Sequence, residues 1–269
     1  MYKLIATDLD GTLLDSHKSI SVNTKKVLLD LKQKGIKLVL ATGRPVEGIR
    51  KISNELQIKE SNQFAITFNG AAVFELSNLS KPICTDTISG KEVKILAQRG
   101  RDLNVDFHAF SVTRGLITEK ENPYTEYEMY ICDLDASVVD FHEIEDDEQF
   151  YKFMFLADKE DLDLVAEKID DVREVYSVVR SLHCFLEVLA KTVSKGNALI
   201  SLCKELGIDV KDSIAFGDEE NDMHMLQVAG LGIAMKNSNP KVLEIADKVT
   251  ASNDEDGIAI ALETIFAEV

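Results

Sequence analysis

The sequence predicts an α/β fold whose parallel-sheet core is interrupted by an inserted α+β domain. Three observations predict it. The first 75 residues alternate short apolar runs with helical stripes. The chain from 196 onward repeats that grammar. Between about 84 and 190 it changes to clustered short strands with scattered helices.

Residues 4–7 are an apolar run of strand length. Val27, Leu28 and Leu31 mark a helix over 22–34, and Gly35 stops it. Strands are expected at 36–41 and 64–68, with a helix at 46–56 between them. A βαβαβ order implies a parallel sheet covered by helices, a Rossmann-like core. Helices over 196–206, 221–228, 240–246 and 257–266, with strands at 213–216 and 231–235, extend it. The middle carries helices near 91–103 and 161–169. Its strands are expected near 105–110, 115–119, 151–156, 174–179 and 184–189, and the acidic stretch 143–148 reads as a solvated loop. The expected division is a core of 1–83 with 191–269 and an insert of 84–190.

Composition narrows the function. With 45% hydrophobic residues the 269-residue chain can bury a sizeable core. Thirty basic against 47 acidic residues give a net charge of −17. Nucleic acids and anionic membranes both call for a basic face, so neither is expected as a partner. No run approaches the roughly 18 apolar residues of a membrane span. The N-terminal apolar run is too short for a signal peptide. Cys84, Cys132, Cys184 and Cys203 form no C-x-x-C pair, and reduced thiols in a cytoplasmic protein are expected. A monomer or weak homodimer is the expected state.

Four segments carry chemistry. Asp8-Leu9-Asp10-Gly11-Thr12 ends the first strand, and ligands of open parallel sheets bind at such carboxyl ends. Two carboxylates two residues apart can share Mg²⁺, one attacking phosphorus while the other handles a proton. A solvated turn would carry the same residues. Thr42-Gly43-Arg44-Pro45 follows the second strand. It reads as a phosphate cradle at a helix start, or as a plain N-cap by Thr42. Lys195 opens a helix, where its charge opposes the macrodipole unless a bound phosphate offsets it; a surface lysine is the alternative. Asp218-Glu219-Glu220-Asn221-Asp222 enters a helix after another strand. Capping would explain its acids; their density at a strand mouth suits a metal site begun by Asp8.

Together these segments resemble the four signature motifs of the haloacid dehalogenase superfamily. The insert between the second and third motifs resembles a type IIB cap, as in the Cof-type, YidA-like sugar phosphatases. Phe68-Asn69-Gly70-Ala71, Phe185-Leu186-Glu187-Val188 and 232–237 are also similar to that subfamily. The resemblance implies a Mg²⁺-dependent phosphatase with Asp8 as nucleophile and Asp10 as general acid, then base. It implies that Leu9, Thr42, Gly43, Lys195 and Asn221 hold the phosphate, with Arg44 and Asn69 near it. Mg²⁺ would sit on Asp8, Asp10 and Asp218, supported by Glu219 or Asp222. The cap would close over the core, exclude water and contact a small phosphorylated metabolite. Arg114, Arg180 and His183 are polar candidates for that contact, although each reads more readily as solvated surface.

Four rival readings stand beside this one. A dehalogenase would need neither Asp10 nor Asp218. A phosphosugar mutase would keep the same motifs. A phospho-acceptor switch lacks the cap-sized insert. An idle metabolite binder would not need intact Asp8 and Asp10.

Overall fold

The structure is a computed structural model that describes residues 1–58 and 62–267. It divides into two compact units, Met1–Cys84 with Ser194–Val269, and Thr85–Val193.

The first unit begins β1 Leu4–Thr7, α1 Val22–Gln33, β2 Lys37–Ala41, α2 Arg50–Glu55, β3 Phe64–Thr67, β4 Ala72–Glu75 and β5 Cys84–Thr85. The insert runs β6 Ile88–Ser89, α3 Gly90–Asp102, β7 Asp106–Ser111, β8 Gly115–Thr118, α4 Pro123–Cys132 and β9 Ala136–Val138. It continues with β10 Gln149–Leu156, α5 Lys159–Glu167, α6 Asp170–Val175, β11 Tyr176–Leu182 and β12 Phe185–Ala190. The chain then adds α7 Lys195–Glu205, β13 Ser213–Gly217, α8 Met223–Val228, β14 Leu231–Ala234, α9 Pro240–Ile245, β15 Lys248–Val249 and α10 Gly257–Ala267.

The first unit's sheet has the order β15-β14-β13-β1-β2-β3-β4-β5. β1 lies parallel between β2 and β13. All four of its residues are buried, as expected of a strand covered on both faces. Leu4 and Ala6 join Val39, Phe64, Leu199, Leu202 and Leu226 in one core cluster. From β1 the chain moves to β2 on one side and returns as β13 on the other. That reversal opens a crevice at the carboxyl end of β1, where Asp8 stands.

The insert's sheet has the order β11-β12-β10-β7-β8-β9, mostly antiparallel, with β6 also pairing with β10. Successive side chains of a strand face opposite ways. Phe153 and Phe155 of β10 therefore pack with Phe107, Val188, Leu96, Leu162 and Val165 in an apolar core. Lys152 and Met154 emerge on the other face. There Lys152 Nζ donates to Glu187 Oε1 at 2.8 Å, both side chains buried, and sits 5.0 Å from the Phe110 ring centre. His108 meets Thr125 Oγ1 and Met154 Sδ on that face. Burial, with help from Lys152, holds its pKa well below the ordinary value.

The expected fold class is present, with corrections in detail. The helix expected over 46–56 starts as a 3-10 turn, Glu47–Ile49, and becomes α-helical only at Arg50. Glu174 and Val175, read as strand, end α6; β-branched valines on both sides of the junction hid it. α4 was missed because aromatic residues obscure its stripe, although Asn122 caps it and Pro123 opens it. All four cysteines are free. Among the described residues no helix is long and apolar enough to cross a membrane.

Removing one member of a buried ion pair strands the other charge, typically at about 3–5 kcal/mol. Lys152→Met should therefore lower stability by that order in urea unfolding. The double variant Lys152→Met/Glu187→Leu should recover most of the loss.

Candidate active site

The site is built where β1 ends. Asp8 receives its backbone bond from the sheet, its N–H donating to Phe216 O at 3.0 Å. Beyond it the chain turns: the N–H groups of Leu13 and Leu14 donate back to Asp8 O and Leu9 O. Leu9 itself is fully buried. Gly11 makes the turn possible. Its φ is +87°, and a Cβ there would collide with the Asp218 carboxylate. Thr12, in the motif but given no role from sequence, donates its hydroxyl to Asp218 Oδ1 at 2.6 Å.

Lys195 is the centre of charge. Its Nζ donates to Asp8 Oδ1 at 2.6 Å and to Asp222 Oδ1 at 2.7 Å. The lysine and Asp222 side chains are wholly enclosed. Burial pulls the lysine pKa down; Asp222 and Asp8 outweigh it and hold that pKa above its ordinary value. The expected phosphate is therefore not needed to settle a cation at this helix start, because two carboxylates already do so. Asp222 is fixed in turn: its Oδ2 accepts the N–H groups of Asp218 and Glu219 at 3.0 and 3.1 Å. Gly217 leaves room for it, since a Cβ there would press into the Asp222 side chain.

Carboxylate oxygens of Asp8, Asp218 and Asp222 lie within 4.8 Å of one another. Burial pushes Asp8 up, with Asp222 and Asp218 adding to the push against the pull of Lys195. Burial, then the neighbouring Asp222 and Glu219, push Asp218 up to about 7, against the Thr12 bond. Three crowded hard-oxygen donors facing one ammonium fit a divalent cation, and the cluster could hold one. Glu219 stands apart from it. This residue is exposed, and its carboxylate caps the 3-10 turn by accepting from the backbone of Asp222.

Asp10 faces other partners. Arg44 Nε and Nη2 donate to its two oxygens at 2.9 and 2.7 Å, and Lys18 Nζ donates to Oδ1 at 2.8 Å. Burial would raise Asp10, but the Arg44 bonds and charge, with those of Lys18, hold it below the usual carboxylate range. Sequence reasoning missed Lys18. A left-handed residue (φ 59°) carries it, in a tight loop whose Asp15 side chain accepts from the N–H groups of His17 and Ser19.

The remaining residues form a second wall. Thr42 Oγ1 accepts from Arg44 N at 3.1 Å. It therefore caps the turn that aims Arg44, and not the helix start expected there. Asn69 takes a left-handed conformation, φ 57°. Its N–H donates to Thr42 O at 3.0 Å, and its side-chain oxygen accepts from Asn221 Nδ2 at 2.9 Å. Gly43 packs against the Asn69 side chain. In the insert, Arg114 is clamped by two bonds to Glu148, and Arg180 pairs with Asp163 and donates to His183 O.

The model of the haloacid dehalogenase-like hydrolases matches residues 5–262. YxeH of Bacillus subtilis (strain 168) is 34% identical over 267 residues, covering 98% of either chain. Phosphatase YwpJ of the same organism is 30% identical, over 96% of this chain and 97% of its own. The solved HAD subclass IIB sugar phosphatase BT4131 superposes with a TM-score of 0.82 at 28% identity, over 99% of this chain and all of that one. The chain belongs to the haloacid dehalogenase-like hydrolases.

Because the folded pKa of Asp10 is depressed, its ionisation adds stability above the ordinary carboxylate pKa of about 3.9, and that stability is lost as pH falls through the lower folded value. The melting temperature of the wild type should exceed that of Asp10→Asn at neutral pH, and the gap should close in acid. A gap that widens in acid would contradict the assignment.

Proposed function

We propose that this phosphatase hydrolyses small phosphomonoesters, sugar phosphates foremost, through a phospho-aspartate on Asp8. The observation that carries the reading is Asp8 at a strand mouth, bonded to a buried lysine that Asp222 holds in place.

A phosphomonoester resists attack because its oxygens repel a carboxylate. Lys195 next to Asp8 brings a fixed, buried positive charge to the point where charge develops. Asp8 Oδ would form a bond to phosphorus as the bond to the leaving alkoxide breaks. The alkoxide would take its proton from Asp10. Asp10 would then take a proton from water as that water's oxygen attacks phosphorus and frees Asp8. One hard step becomes two easier ones.

The partners of Asp10 bear on its proposed role. Arg44 and Lys18 favour its ionised form, which suits the second step. For the first step it must bind a proton. An arriving phosphate dianion would compete for both cations and add negative charge beside Asp10, and both effects raise its pKa. Thr42, Gly43 and Asn221, tied together through Asn69, are proposed to receive the phosphoryl oxygens.

Mg²⁺ is the proposed ion, and Asp8 and Asp218, with the main chain of Asp10, would hold it. Bound there, it would supply charge neutralisation for the transferring phosphoryl group. Asp222 is proposed to act through Lys195, since its oxygens already serve the ammonium and two amides. The inserted unit is proposed as the cap that selects the leaving group. The sugar phosphatase among the structural relatives supports that substrate class.

Wild-type protein should release inorganic phosphate from a panel of sugar phosphates with Mg²⁺, and chelator should stop it. Asp8→Asn should lose on the order of 10³-fold or more in kcat with folding intact. Asp218→Ala should shift the Mg²⁺ requirement upward. Activity of Asp8→Asn within tenfold of wild type, or indifference to chelator, would overturn the proposal.

A further inference from the structure

Lys195 is the first residue of α7, so its place depends on how that helix starts. A helix start is held by whatever occupies its free N–H groups. Here Ser194 is the N-cap, its Oγ accepting from the N–H of Asn197 at 3.0 Å. The same Oγ lies 2.8 Å from Nδ1 of His224. The His224 ring rests on Gly196, where an added Cβ would come within 2.6 Å of ring Cγ. From another side the Ser194 carbonyl packs against Gly70, which leaves no room for a Cβ. The cap, the ring and the Gly70 loop thus fix the segment 194–196 from three directions.

We propose that His224 is a positioning residue for Lys195 and acts through Ser194. A serine hydroxyl has one proton and rotates freely until its bonds are made. Accepting from Asn197 settles one lone pair. The bond with His224 takes up either the hydroxyl proton or the second lone pair, according to the ring's tautomer, and so stops the rotation and locks the first turn of α7. Lys195 has little latitude, because its one ammonium must reach Asp8 and Asp222 together. His224 follows Asp222 by two residues. One short stretch of chain therefore grips the lysine at both ends, the ammonium through Asp222 and the helix start through His224. The inference rests on the proposed reading of Lys195 as the partner of the transferring phosphoryl group.

The test compares wild type, His224→Phe, His224→Asn, Ser194→Ala and the double variant Ser194→Ala/His224→Phe. Phenylalanine keeps the ring over Gly196 without its nitrogen; asparagine can return an amide to the place of Nδ1. Each protein is assayed for p-nitrophenyl phosphate hydrolysis with Mg²⁺, for inorganic phosphate binding by calorimetry, and for melting temperature. Displacing a catalytic group by about 1 Å can cost on the order of 10²-fold. His224→Phe should lose about tenfold or more in kcat with KM within about threefold, and His224→Asn should recover most of it. The double variant should be no slower than Ser194→Ala, because both changes break one link. Wild-type kcat in His224→Phe, no recovery in His224→Asn, or additive losses would overturn the proposal. Should His224→Phe fail to fold, the recovery in His224→Asn over Ser194→Ala decides it. If the wild type hydrolyses neither this ester nor the sugar phosphates, the proposed function falls, and phosphate affinity decides the positioning instead. Weaker binding in His224→Phe that His224→Asn restores supports it, and equal affinities overturn it.

Discussion

A wholly buried ammonium needs countercharge, since desolvation costs it several kcal/mol that only close partners offset. In this protein Lys195 is that ammonium, and its need organises the strand mouth. It draws Asp8 from β1 and Asp222 from the turn after β13 to one point. Those two strands are neighbours because the sheet reverses its winding at β1. The fold therefore supplies the proximity, and the ion pairs fix the geometry. Three buried carboxylates against one ammonium leave negative charge in excess, the complement of a divalent cation.

Asp10 belongs to a different electrostatic neighbourhood, although it stands two residues from Asp8. Asp8 is enclosed and pushed up; Asp10 is partly open and pulled down by Arg44 and Lys18. Two carboxylates whose environments separate their proton affinities are suited to different tasks. Gly11, next after Asp10, turns the chain in the left-handed region and leaves the space that the Asp218 carboxylate fills.

Much of the fold and the candidate site was legible in the sequence. The buried strands announced themselves as apolar runs, and Asp8, Lys195, Asp218 and Asp222 stood at strand mouths or helix starts. What was not legible depends on partners far along the chain. Thr12 sits inside a motif, but its bond to Asp218 spans more than two hundred residues. Lys18 is unremarkable until Asp15 folds its loop under Asp10. Glu219 shared the acidic density of its segment, and only the capping geometry separates it from the cluster. Ser194 and His224 carry no pattern at all, because their link joins two helix starts. In the insert, α4 lacked a clean stripe and the three-residue β9 gave no strand signal, so one edge of the second sheet went unread.

In the proposed reaction Asp8 takes the phosphoryl group. Rapid acid quench of the protein mixed with ³²P-labelled sugar phosphate and Mg²⁺, followed by peptide mapping, tests it most directly. An alkali-labile label should appear on the peptide that contains Asp8, formed faster than steady-state turnover and absent from Asp8→Asn. Turnover without any protein-bound label, or label confined to another residue, would contradict it.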